Sequence, residues 1–268
     1  MKQEKRQCVK RAIVAVLLAV FVLSGLFAGC VGGVIIGSGN LETQEMDFSG
    51  FTSVEVGHAF EVEIARSDSY SVIITADDNL FEHIQVSQAG ETLTVGVKPL
   101  SGYLSGTLKA EITMPALTGL DLSGATRGSV EGFSSPEDFD LDLSGASSLD
   151  MTNMAAGGIK FDLSGASSVS GDITATGDGH FDLSGASRVE LAGSASDIVI
   201  EASGASSLNL ADLPVNNANV RLSGASQATV NLDGRLDANL SGASRLSYIG
   251  EPTLGNISTS GGSTVTKR

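Results

Sequence analysis

Tryptophan is absent from this chain of 268 residues, which has only three tyrosines, three histidines and two cysteines. Each shortage excludes something. The cysteines are Cys8 and Cys30, both near the N-terminus, so the body of the chain has no disulfide. Its stability must come from packing and backbone hydrogen bonds. His58, His83 and His180 are scattered without metal-ligand spacing. The many serines have no accompanying His/Asp constellation for nucleophilic catalysis. Tyr70, Tyr103 and Tyr248 are the aromatics beyond phenylalanines that read mostly as core, too few for the platforms of a sugar-binding cleft. Basic residues are also scarce: 16 Lys and Arg against 31 Asp and Glu give a net charge of −15. Such a surface repels nucleic acid phosphates and anionic lipid headgroups. The 33 glycines follow no Gly-X-Y triplet, which excludes collagen. An apolar content of 41% excludes a disordered acidic chain.

The first thirty residues differ from the rest. Lys2, Lys5, Arg6, Lys10 and Arg11 form a basic start, and no charge follows from Ala12 to Phe27. Small residues then lead to Cys30. A basic region, an apolar region and small residues before a cleavage point make residues 1–29 an export signal. Small residues ending at a cysteine resemble a bacterial lipobox, with Cys30 as the lipidated mature N-terminus. Phe27 stands where Leu, Val or Ile is usual. The alternative is an uncleaved membrane helix, since uncharged sequence runs from Ala12 to Ile36. Either arrangement exports the remainder and anchors it to the cell membrane or cell surface. Without residues 1–29 the net charge becomes −19.

What the chain has in abundance is Ser-Gly-Ala-Ser. Its glycines, Gly124, Gly145, Gly165, Gly185, Gly204, Gly224, Gly242 and Gly261, are spaced by 21, 20, 20, 19, 20, 18 and 19 residues. A period near twenty is a solenoid signature. Two apolar columns precede the glycine: Leu120, Leu141, Phe161, Phe181, Ile200, Val220, Ala238, Ile257, and Leu122, Leu143, Leu163, Leu183, Ala202, Leu222, Leu240, Thr259. One polar residue separates them, the period of a strand with one face inward. A third column follows the glycine: Leu149, Val169, Val189, Leu208, Ala228, Leu246 and Val265, with Val130 read as displaced by one inserted residue. The leucine-rich-repeat alternative lacks its Asn/Cys column and helical half. The expected fold is therefore all-β: a single-stranded right-handed parallel β-helix of about 20-residue coils, rising roughly 34 Å over seven steps. Each glycine is a structural corner where a positive φ is useful, and serine hydroxyls can satisfy backbone groups freed by the bend. Residues 30–41 read as a tether, 42–117 as a less regular β-rich N-terminal cap, and 118–268 as the repeat β-helix.

Gly37-Ser38-Gly39-Asn40, Phe48-Ser49-Gly50-Phe51, Glu61-Val62-Glu63-Ile64, Met114-Pro115-Ala116-Leu117 and the Ser-Gly-Ala-Ser array together resemble the family called putative auto-transporter adhesin, head GIN domain. The likeness covers about residues 38–266. It implies a β-helical fold and an envelope location, and brings no catalytic residues with it.

If the apolar columns point in, Asp121, Asp142, Asp162 and Asp182 point out, followed by Glu201, Arg221 and Asn239. Stacked carboxylates about 4.8 Å apart repel by about 1 kcal/mol per pair in water. Weak Ca²⁺ binding would relieve this. The alternative is a solvated face relieved by Lys160 and His180, with no cofactor and no confident metal site. The acids follow the repeat rather than breaking it, so none is marked as catalytic, and no enzyme is expected. The expectation is a membrane-tethered envelope protein, an adhesin or binding scaffold for a surface polymer or envelope protein, with no nucleic acid partner. The competing reading is a β-helical protein that binds or cleaves carbohydrate.

Overall fold

The computed structural model describes residues 34–99 and 103–268. The export-signal segment 1–29 with Cys8, and Cys30 after it, lie outside the described residues, as does the Tyr103 side chain. Val34–Ile36 and Tyr103–Ser105 form a two-stranded sheet of their own. The large unit spans residues 36–99 and 105–268 and is all-β apart from a 3₁₀ turn at Asp78–His83. No helix of the described residues is long and apolar enough to cross a membrane.

Two sheets of eleven and twelve strands enclose the core of the large unit. A representative coil shows how. Phe139–Leu143 runs in the first sheet, its residues alternately buried and exposed. Ser144–Ser147 turns the corner, and Ser148–Ala156 runs in the second sheet. Gly157 and Gly158 return the chain to Ile159–Leu163, which pairs in parallel with Phe139–Leu143, Leu141 against Phe161 and Leu143 against Leu163. Repetition makes a parallel β-solenoid of about seven turns. The first two apolar columns are inward and buried from Leu120 and Leu122 to Ala238 and Leu240. Phe139, Phe161 and Phe181 stack edge to face, with centroids 6.1 and 5.5 Å apart. Each buried aliphatic side chain contributes roughly 1.5–3 kcal/mol, which offsets ordering entropy only because neighbouring coils cover both sides.

The start of the third column needs correction. No inserted residue displaces Val130: Gly128 stands opposite Leu149, and Val130 opposite Met151. A Cβ on Gly128 would lie 2.8 Å from Leu122 Cδ1 and 3.1 Å from Leu149 Cδ1. The glycine therefore leaves its column place to leucines reaching in from both sides.

The solenoid begins earlier in the chain than its motif. Ser53–Val56 and Glu61–Arg66 form a coil that pairs in parallel with Gly119–Leu122 and Arg127–Glu131. On the other side of that coil lie Thr92–Val97 and Leu108–Met114, also parallel. The order along the stack is thus 92–114, 53–66, 119–131, so chain order and stacking order differ. Antiparallel strands finish this end: Ile84–Ala89 beside Thr92–Val97, Ser71–Asp77 beside Leu108–Met114, and Leu41–Met46 outermost. Leu80 of the 3₁₀ turn is fully buried. The buried Asp77 accepts backbone N–H bonds from Gly39 (2.6 Å) and Thr107 (2.8 Å), and Asn79 bonds Ser38 N and Ile36 O. Residues 36–39 are thereby fixed to this end of the stack.

At the other end no described residue forms such a cover. Thr253–Thr259 and Thr264–Lys267 are the outermost strands of their sheets. Ile257 belongs to a column otherwise almost wholly buried, yet is 38% exposed, and Leu254 is 51% exposed.

Candidate functional site

The corner comes first, because it positions everything outside it. All eight motif glycines have positive φ, from +70° to +75°. In the corner at Gly165, Ser164 N–H donates to Leu143 O (2.8 Å), Ala166 N–H to Gly145 O (2.7 Å) and Ser168 N–H to Ser147 O (2.9 Å). The buried Ser167 hydroxyl donates to Ser164 O at 2.8 Å, closing the turn on itself. The same bond recurs from Thr126 and from Ser147, Ser187, Ser206, Ser226, Ser244 and Ser263. These hydroxyls are thus committed to structure. A Cβ on Gly165 would collide with the Gly145 carbonyl oxygen and lie 3.1 Å from Gly145 N and C. The earliest corner dispenses with the motif: His58 and Ala59 adopt φ of +65° and +64°, and Gly124 packs over His58. Left-handed backbone costs roughly 1–2 kcal/mol at each non-glycine residue.

Beside the corner runs a ladder of carboxylates. Asp121, Asp142, Asp162 and Asp182 occupy successive rungs on the outer side of the first sheet. Glu55 adds a rung before Asp121 and Glu201 one after Asp182. Two cations relieve it. Lys160 Nζ meets Asp162 at 2.7 Å, and Arg221 meets Glu201 at 2.6 Å. Asp121 has neither. Partial burial, then the charges of Asp142 and Glu55, push its carboxyl up to about 6. Asp142 is raised by burial and the Asp162 charge, opposed by Lys160. An open depression of about 250 Å³ lies over Asp121, Asp142 and Asp162. Rungs set in a row present at most two neighbouring carboxylates to one ion, short of the six to eight oxygens that Ca²⁺ takes. Among the described residues, no three His, Cys, Asp or Glu side chains are placed to hold a metal ion.

The acids on the return side do something different. Asp197 accepts bonds from Asn217 N and Nδ2 and from Asn216 Nδ2 in the next coil. The Asn217 side chain is the main reason its carboxyl is held below the usual range. Asp138 accepts Gly158 N–H (2.5 Å), and Asp178 accepts Asp197 N–H (3.2 Å). Sequence reasoning missed these caps, though Asp138, Asp178, Asp197 and Asn217 recur near the repeat spacing.

The structure does not gather the histidines. His58 Nδ1 accepts Val97 N–H at 3.4 Å, His83 lies 3.5 Å from Glu82, and His180 shares a rung with Lys160. Tyr70 packs on Phe51, with centroids 4.9 Å apart, and is not a free platform.

A two-sheet parallel solenoid with long, repetitive outer faces is the class that the fold and these ladders define. The family model for the putative auto-transporter adhesin, head GIN domain, matches residues 50–252, and the chain belongs to that family. Among solved structures it is similar to a putative lipid binding protein from Parabacteroides distasonis, at 19% identity and TM-score 0.79, covering 88% of this chain and 100% of that one. A putative adhesin from Parabacteroides merdae is similar at 16% identity and TM-score 0.79, covering 88% and 99%. One from Bacteroides fragilis is similar at 20% identity and TM-score 0.62, covering 87% and 100%. At these identities the likeness establishes the shared fold. Comparison with curated proteins gives no match.

Proposed function

We infer that this protein is a non-catalytic binding scaffold of the bacterial cell envelope, an adhesin acting through the outer faces of its solenoid. One observation carries the reading: the polar outer face repeats coil after coil, with its chemistry spread along a row instead of converging on a point. A face of this kind suits an extended surface polymer or envelope protein, met by many weak contacts. The family's adhesin description supports the same role. Membrane attachment comes from the N-terminal segment, through lipid on Cys30 or a retained helix. Ca²⁺ contributes only weak contact with the ladder, with Kd of about 10⁻⁴–10⁻³ M. The test compares bacteria that produce the full chain with bacteria that lack it, for retention on polymer-coated and envelope-protein-coated surfaces. Protease treatment of intact cells should remove the protein and the retention together. Equal retention with and without the protein, or a chain shielded from protease in intact cells, would refute the reading.

A further inference from the structure

The large exposed apolar side chains of the large unit lie in the outermost segments of its stack. Ile36 (69% exposed) and Leu41 (60%) lie at the first end, and Leu254 and Ile257 at the last. Among the described residues, a strand edge is also unpaired at each end. Leu41–Met46 closes one side of the second sheet, and Thr264–Lys267 the other. The two strands run the same way. Leu41–Met46 is antiparallel to Ser71–Asp77, which is antiparallel to Leu108–Met114, and every later pairing in that sheet is parallel. A copy translated along the stack would therefore continue the sheet with a parallel strand.

Charge distinguishes the ends. Residues 36–99 carry eleven acidic and two basic side chains, a net charge of −9. Residues 235–268 carry two acidic and four basic side chains, a net charge of +2. The first edge strand bears Glu42 and Glu45, both exposed, and the last ends on Lys267 and Arg268, also exposed. Residues 252–266 between them carry no charge at all. Charged edge residues normally discourage sheet-to-sheet association. Here, first end against first end is repulsive, and last against last brings like charges together. Last against first is the complementary pairing.

We propose that copies of this protein associate head to tail, the Thr253–Thr259 and Thr264–Lys267 coil of one covering the Leu41–Met46 edge of the next. The occupant of the uncovered coil is thus a second copy of the chain, and the contact is heterologous and open-ended. End strands of four to seven residues and a sheet spacing of about 10 Å give an end cross-section of roughly 130–230 Å² per partner, small against the ~800 Å² of a stable interface. Association is therefore weak in dilute solution and favoured by crowding at a surface. This concerns the ends, whereas the scaffold reading concerns the outer faces, so either can fail alone.

The test uses the full chain in its host envelope, with oxidative cross-linking. Thr43→Cys plus Thr266→Cys in one chain should give a ladder of dimers, trimers and larger species beyond the background of the parent chain with Cys8 and Cys30. Dimers of the Thr266→Cys chain joined through position 266 of both copies, as mapped by mass spectrometry, would show last-end-to-last-end contact and overturn the head-to-tail assignment. Only background cross-linking in the double-cysteine chain would overturn association itself. In that same chain, Glu42→Lys with Glu45→Lys should cut the yield about tenfold, and adding Lys267→Glu with Arg268→Glu should restore most of it. Yield indifferent to the first reversal, or not recovered by the second despite native β circular dichroism, would overturn the charge basis.

Discussion

Replacing Gly165 by alanine should unfold this protein far more readily than the same change at Gly90. Both glycines have positive φ, +75° and +61°. A Cβ on Gly90 would meet nothing within 4 Å, so Gly90→Ala should cost only the left-handed backbone penalty, about 1–2 kcal/mol. Gly165→Ala carries that penalty and adds a collision with backbone. The obstructing Gly145 oxygen is fixed by the 2.7 Å bond from Ala166 N–H, so it cannot swing aside as a side chain would. Overpacking of this kind costs about 1–3 kcal/mol, and separating the corners weakens bonds contributing about 1 kcal/mol each. The total is about 3–6 kcal/mol, a large share of the 5–15 kcal/mol that holds an ordinary domain together. Urea unfolding followed by far-ultraviolet circular dichroism reads the difference. Gly165→Ala should move the midpoint at least twice as far as Gly90→Ala. Equal shifts would show that the glycines serve φ alone, and that corner stacking adds nothing.

Three further outcomes follow from the same geometry. The folded-state pKa of Asp121 is raised, so its penalty is fully present above pH 6 and vanishes below about 4; Asp121→Asn should stabilise the fold at pH 8 by about 1–3 kcal/mol and be neutral at pH 4 in paired thermal melts. Ser167→Ala removes a buried hydroxyl bonded to Ser164 O and should cost about 1 kcal/mol, against less than about 0.5 for the partly exposed Ser168→Ala; denaturation midpoints that rank them the other way would contradict the turn-closing role. Mass spectrometry of the membrane fraction should find a lipidated Cys30 as the mature N-terminus, and an intact Met1 would instead support the retained helix.

The repeat region was legible because period and composition agree there. Glycine every twenty residues, with two columns of alternating apolar residues before it, leaves the chain few ways to stack. The N-terminal portion gave up its strands but not their order. Nothing local in Val54-Glu55-Val56 says that its neighbour is Leu120-Asp121-Leu122 on one side and Leu93-Thr94-Val95 on the other. Yet Val54-Glu55-Val56-Gly57-His58-Ala59-Phe60 has the layout of a strand and corner, with His58 and Ala59 bearing the positive φ in place of glycine. Aligned on that layout, Glu55 becomes a rung of the acidic ladder. Gly128 misled because a column defined by bulk has no sign for a member that is present but empty. The ladder itself was legible, whereas the uneven burial that singles out Asp121 needs coordinates.

The central claim is that the repeats are interchangeable coils and that binding is distributed along their faces. Deleting residues 165–203 tests it directly, because Ser164 then joins Gly204 and the corner is rebuilt with two coils fewer. The shortened chain should be exported, should melt cooperatively with parallel-β circular dichroism, and should support reduced but measurable cell retention. A shortened chain that cannot fold would contradict the coil assignment. One that folds and reaches the surface but retains no cells at all would place recognition at a single point within the deleted coils, contrary to a binding surface spread along the stack.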